Sequence, residues 1–169
     1  DDGSVSAVLG LIKGVSGRLA MQVTGNPNHA RAVVGLALVA DYLRTSGELA
    51  RSFLVPVDPH ARLFGAQDDD AGANLRCDLL RVTLTPKTFH AAFIEVKFRT
   101  SAGEASSDAL VDQMIAQMEH TRDRFAERYF PAAPRPDHIL ARSELAGLLT
   151  YYLDRAWRHG WISDDEEYE

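Results

Sequence analysis

Between Arg76 and Thr100 the chain reads RCDLLRVTLTPKTFHAAFIEVKFRT, two apolar strand-like runs joined by a turn at Pro86-Lys87. The second run is apolar through Ala91, Ala92, Phe93 and Ile94, then takes on Glu95 and Lys97; the first opens with Asp78 just ahead of Leu79 and Leu80. A charge in an apolar strand is costly unless it is paired or bound. Whatever this chain folds into must therefore bring a partner to these three residues. A turn centred on Pro86-Lys87 sets Asp78 directly opposite Glu95, with Lys97 two residues further on the same face. Opposed residues have Cβ atoms about 4.5–5.5 Å apart, and a slip of one residue would undo the pairing.

Two carboxylates at about 4 Å repel by roughly 1 kcal/mol in water and about 4 kcal/mol at an effective dielectric near 20. A hard divalent cation offsets that repulsion. Mg²⁺ is typically held by one or two carboxylates together with waters and a substrate phosphate. It would polarise a phosphate and supply a hydroxide-like water, while Lys97 orients that water or neutralises transition-state charge. These are parts for phosphodiester hydrolysis.

The elements around the hairpin follow from periodicity and punctuation. Val5, Val8, Leu9 and Ile12 recur at helical spacing, and Gly14 and Gly17 interrupt them. Asn26-Pro27 reads as N-cap and first helical position. The helix that follows, about 28–44, is apolar over Val33, Val34, Ala37 and Leu38 and ends near Ser46-Gly47. Ser52–Val57 reads as a buried strand with Pro56 at an edge or strand end. A polar loop with Asp68-Asp69-Asp70 leads to the two strands, about 76–84 and 89–99. A small polar linker, Ser101–Ser107, leads to a long helix over about 108–130, whose apolar line is Val111, Met114 or Ile115, Met118, Phe125 and Tyr129. Pro131, Pro134 and Pro136 break the chain. A last helix, Ser143–His159, starts with a capping motif and buries Leu145, Leu148, Leu149, Tyr152 and Trp157. Helix, three strands, helix, helix is a mixed α/β order.

In this order, Asp78 followed seventeen residues on by Glu95-Val96-Lys97 resembles the PD-(D/E)xK nuclease superfamily of restriction endonucleases, recombination nucleases and junction resolvases. The resemblance covers about residues 28–130. It implies an α/β, restriction-endonuclease-like core, with a central mixed sheet of three to four strands flanked by helices. It also implies Asp78 and Glu95 as metal ligands and Lys97 as the catalytic lysine, with Gln113 or Gln117 on the following helix joining the site. Gln117 is the residue expected there. Asp78 is preceded by Cys77 rather than proline, and any fourth strand must be short, near His138-Ile139-Leu140. The surroundings SGRLAMQV, LVPVDPHARLFG and FIEVKFRT also resemble nuclease-like regions of large bacterial DNA-translocating ATPases of phage-defence systems.

Composition is compatible with this reading. The chain has 169 residues, 46% hydrophobic and 25% charged, enough for one domain. That domain is expected over 1–162, with 163–169 as an acidic tail or linker. The net charge is -6, but the tail alone holds five acids, so the body is close to neutral. The single cysteine, Cys77, excludes an internal disulfide and fits a cytoplasmic protein. No apolar run reaches the ~18 residues of a membrane-spanning helix. Starting on Asp1-Asp2-Gly3, the chain is expected to be cut from a longer protein.

Other residues carry competing readings. Asp41, in line with Val34 and Ala37, is either an accessory acid or an arginine partner. Asp58 and His60 are either ligands or turn formers. Gln113, Gln117, His120 and Arg124 form a polar helical stripe that is either site or solvated face. Arg76, Lys87, Arg99 and Arg122 are candidate phosphate contacts. No helical His-x₃-His spacing for zinc and no phosphate-binding glycine loop occurs. The expected function is a Mg²⁺-dependent DNA endonuclease, with Mn²⁺ substituting. DNA is its partner, the rest of a larger ATPase or defence complex a further one, and a homodimer is allowed. The alternatives are a nuclease-like module that binds DNA or protein without cutting, and an interaction domain in which Glu-x-Lys is coincidental.

Overall fold

The computed structural model describes residues 6, 9, 10, 12, 13, 15, 27–64, 75–98, 107–133 and 136–162. Outside these lie part of the opening helix expected near the N-terminus, Asn26, the Asp68–Asp70 loop, Arg99, most of the small polar linker, Pro134 and the acidic tail. The described elements run α1 (Pro27–Thr45), β1 (Ser52–Pro56), a 3₁₀ segment (Asp58–Phe64), β2 (Leu79–Leu84), β3 (Phe89–Ile94), α2 (Asp108–Tyr129) and α3 (His138–Arg158). The strands form an antiparallel sheet in the order β1-β2-β3. Pro56 closes β1, an edge strand of that sheet, where its missing N–H costs no ladder bond.

Alternation in the strands separates two apolar layers. Phe53 and Val55 of β1, with Leu80 and Val82 of β2, pack with Phe125, Tyr129, Leu145, Leu148 and Tyr152 of α2 and α3. Leu54 and Leu79 point the other way, into Val33, Leu36, Ala37, Ala40 and Leu43 of α1. The protein is therefore a mixed α/β structure with helices on both faces of a three-stranded sheet.

The expected mixed sheet is corrected: the described strands are all antiparallel, and His138, Ile139 and Leu140 form the first turn of α3 rather than a fourth strand. The expected capping role of Ser143 falls with it, because Asp137 precedes the helix and Ser143 lies exposed inside it. The reason is at the end of α2. The Tyr129 carbonyl has no helical donor there; His138 Nε2 lies 2.7 Å from it and Arg142 Nε donates to it at 3.0 Å. Starting α3 early supplies both groups.

Side-chain burial differs too. Leu38, Val111, Ile115 and Trp157, expected inside, are exposed. The buried line of α2 is Leu110, Gln117, Thr121, Phe125 and Tyr129, with Ser107 capping its first turn. None of the described helices is long and apolar enough to cross a membrane.

Gly35 sets how closely α1 approaches the chain after β3. A Cβ there would lie 3.0 Å from Phe98 Cβ and 3.2 Å from Val96 Cγ1, whereas one on Gly147 of α3 would meet nothing within 4 Å. Alanine gains up to about 1 kcal/mol over glycine inside a helix, while overpacking costs about 1–3 kcal/mol. Gly147→Ala should therefore raise the urea midpoint and Gly35→Ala should lower it. A stabilised Gly35→Ala would show that the 96–98 segment yields freely.

Candidate functional site

Two threonines make the turn that sets the hairpin register. Thr85 N–H donates to the Thr88 carbonyl at 2.8 Å, Thr88 N–H donates to Thr85 Oγ1 at 3.0 Å, and the two hydroxyls lie 2.7 Å apart. From Leu84↔Phe89 to Leu79↔Ile94 the pairing is unbroken. The paired register ends there. Asp78 and Glu95 lie just outside the assigned strands, and alternation breaks at Asp78, since Cys77 and Leu80 both enter the α2–α3 layer. The expected cross-strand facing of Asp78 and Glu95 is therefore not continued as a ladder pair. Asp78 N–H donates to the carbonyl of Ile94, the residue already opposite Leu79, at 3.1 Å, and Asp78 Oδ2 accepts from Val96 N–H at 2.7 Å.

Beyond Ile94 the side chains keep alternating. Ile94 and Val96 pack into the α1 layer and Phe93 into the α2–α3 layer. Glu95 and Lys97 therefore share the α2 side, and Asp78 lies close enough to interact with both. Lys97 Nζ is ion-paired with Glu95 Oε1; the Glu95 side chain is 1% exposed and that of Lys97 26%. Glu95 Oε2 is buried and has no hydrogen-bond partner among the described residues.

Burial dominates the electrostatics. It pushes the Glu95 carboxyl up to about 7, the Lys97 ammonium pulling down and the Asp78 carboxylate pushing up. Asp78 is raised as well, by burial first, with the Val96 N–H and Lys97 opposing and Asp58 adding to the rise. Lys97 faces two acids, and its half-buried ammonium does not repay the desolvation of a carboxylate this deep. Near neutral pH the pair therefore holds back part of its negative charge.

The strand entry is held from α2. Thr121 Oγ1 accepts from Cys77 N–H at 2.9 Å and donates to the Gln117 carbonyl at 2.8 Å, while Gln117 Nε2 donates to the Arg76 carbonyl at 3.4 Å. Of the two glutamines considered, Gln117 is the buried one and Gln113 is exposed. Thr121 escaped the sequence reading; its signal was a polar residue in register with Gln117 and Phe125 at helical spacing. Burial pushes the Cys77 thiol up to about 12, which leaves it inert.

The accessory candidates divide. Asp41 takes a hydrogen bond from Arg44 at 2.7 Å on the surface, so it is an arginine partner. His60 Nε2 lies 2.9 Å from Tyr152 Oη, and His120 Nδ1 lies 3.2 Å from the Leu75 carbonyl. Arg124 is exposed beside Glu127. Asp58 lies 3.5 Å from Arg76 Nε.

A divalent metal can be tested against these groups. Among the described residues no group of three or more His, Cys, Asp or Glu side chains is placed to hold an ion. Two neighbouring carboxylates, one with an orphaned oxygen, match the hard-oxygen donor set that Mg²⁺ accepts, since waters and phosphate complete its shell. In type and number the donors fit. Comparison of the chain with protein families, with curated proteins and with solved structures finds no match.

A carboxyl raised by folding binds more protons in the folded chain, so its contribution to stability falls as pH climbs from about 4.5 to about 7. Glu95→Gln should remove that contribution. Urea unfolding of both proteins in metal-free buffer, from about pH 4 to pH 8, should show wild-type stability declining relative to the variant by up to about 1.4 kcal/mol per pH unit. Parallel profiles would mean that Glu95 titrates like an exposed carboxylate.

Proposed function

We propose that Asp78, Glu95 and Lys97 form the catalytic centre of a Mg²⁺-dependent DNA endonuclease with a restriction-endonuclease-like core. The observation that carries this reading is the pair of half-buried Asp78 and buried Glu95, with Lys97 on Glu95 and an unspent oxygen on the same carboxylate. Asp78 and Glu95 would hold the ion, which when bound polarises the phosphate and lowers the pKa of a water. Lys97, more exposed than Glu95, would hold the attacking water in line or donate to a phosphate oxygen. Water adds to phosphorus, one P–O ester bond breaks, and the leaving oxygen takes up a proton. Gln117 supports the centre from behind by fixing the Arg76 carbonyl. The resemblance to phage-defence nucleases supports a place in a larger bacterial defence or DNA-processing protein.

A second reading, a nuclease-like module that binds DNA or protein without cutting, draws on one observation: the ammonium of Lys97 already occupies a carboxylate that solvent barely reaches.

Nicking of supercoiled plasmid in Mg²⁺ or Mn²⁺ separates the two. The wild type should nick, and Lys97→Ala and Glu95→Gln should lose at least about 100-fold. Calorimetry should show divalent binding that Glu95→Gln weakens. A folded protein that binds DNA and metal-independently leaves plasmid intact would sink the nuclease and keep the binding module.

A further inference from the structure

Arg76 stands apart from the other candidate phosphate contacts. Lys87 is exposed at the hairpin turn, and Arg122 is exposed between Glu119 and Asp123. The Arg76 side chain is only 15% exposed, and it leaves the backbone two residues before Asp78. That backbone is anchored: the Arg76 carbonyl is held by Gln117 and the Cys77 N–H by Thr121. The guanidinium therefore leaves an anchored strand entry, and its partner Asp58 lies near enough to Asp78 to act on it electrostatically.

Its bonding is incomplete. Asp58, the first residue of the 3₁₀ segment, is 3.5 Å from Arg76 Nε, and that buried nitrogen has no hydrogen-bond partner among the described residues. The Asp58 side chain is 68% exposed, so releasing it to water costs little. A loosely seated, solvent-facing carboxylate on an inward-lying arginine has the layout of an anion site covered by an internal stand-in. Arginine's planar fork suits the two oxygens of a phosphodiester better than one distant carboxylate oxygen.

We infer that Arg76 is a phosphate-binding residue of the proposed centre, covered by Asp58 until a backbone phosphate of DNA takes the carboxylate's place. This rests on the nuclease or DNA-binding reading of the site and adds to it a positioning contact, with Asp58 as its competitor. Arg76 grips the phosphodiester backbone and leaves the chemistry to Asp78, Glu95 and Lys97.

The test is binding of a fluorescent DNA duplex in Ca²⁺ over a range of salt, using wild type, Arg76→Gln, Arg76→Lys and Asp58→Asn, each checked for folding by circular dichroism. Arg76→Gln should weaken binding roughly tenfold at low salt and flatten the log–log salt slope by about one. Arg76→Lys should recover part of the affinity and the full slope. Asp58→Asn should bind more tightly than wild type, the opposite sign to Arg76→Gln. A purely structural Arg76–Asp58 pair would move both variants the same way, through stability, and leave the slope unchanged; that result overturns the inference alone. Wild type that binds no DNA at any salt overturns it together with the functional reading.

Discussion

A slip of one residue between β2 and β3 would turn Phe93 away from the Phe125 ring, 5.7 Å from it, and swing Ile94 out of the α1 layer. Both faces of the sheet are covered by helices, so every residue of the hairpin has a side it must take. The charged cluster depends on the same register. Glu95 and Lys97 share a face, and Asp78 comes near enough to interact with both, where the register set by the Thr85–Thr88 turn ends at Leu79 and Ile94. The contact of Val96 with Gly35 then clamps the far end of the segment against α1.

The cluster does not stabilise the fold in the way the apolar layers do. Glu95 is nearly inaccessible, Asp78 repels it, and Lys97 is the one cation beside them in the ion-pair geometry described. Taking charges out of water costs several kcal/mol per ion, and an apolar pair of similar volume often does as well or better. Stability alone gives little reason for such a group at the end of a buried hairpin. A partner with positive charge gives one, which is why the cluster, rather than the sheet, supports the functional reading.

The polar line on α2 follows from the same place. Arg76 and Cys77 lie beyond the end of β2, so their backbone groups need partners elsewhere. Gln117 and Thr121 supply them, and that need outranks burying Val111 and Ile115. Apolar periodicity places Phe125 and Tyr129 correctly but is blind to backbone groups on a distant strand. The start of α3 was misread for a similar reason. Ser143 carries a plausible local capping signal, yet the unfilled carbonyl of Tyr129 draws His138 and Arg142 into an earlier turn. The early start of a helix after three prolines, where any fourth strand would have had to lie, depends on that contact.

What the sequence by itself determined is local: the hairpin register from Leu84↔Phe89 to Leu79↔Ile94, the shared face of Glu95 and Lys97, and Pro56 at a strand end. Each follows from a turn and a two-residue alternation acting along a single short stretch. Tertiary structure decided which stripe of each helix is buried, the all-antiparallel sheet, the choice of Gln117 over Gln113, and the pairing of Arg76 with Asp58. It also decided how deeply Glu95 lies, and with it the direction of its pKa. Those features depend on residues far apart in the chain, where the demand of one unsatisfied carbonyl or one buried charge is met by whatever side chain packing brings within reach.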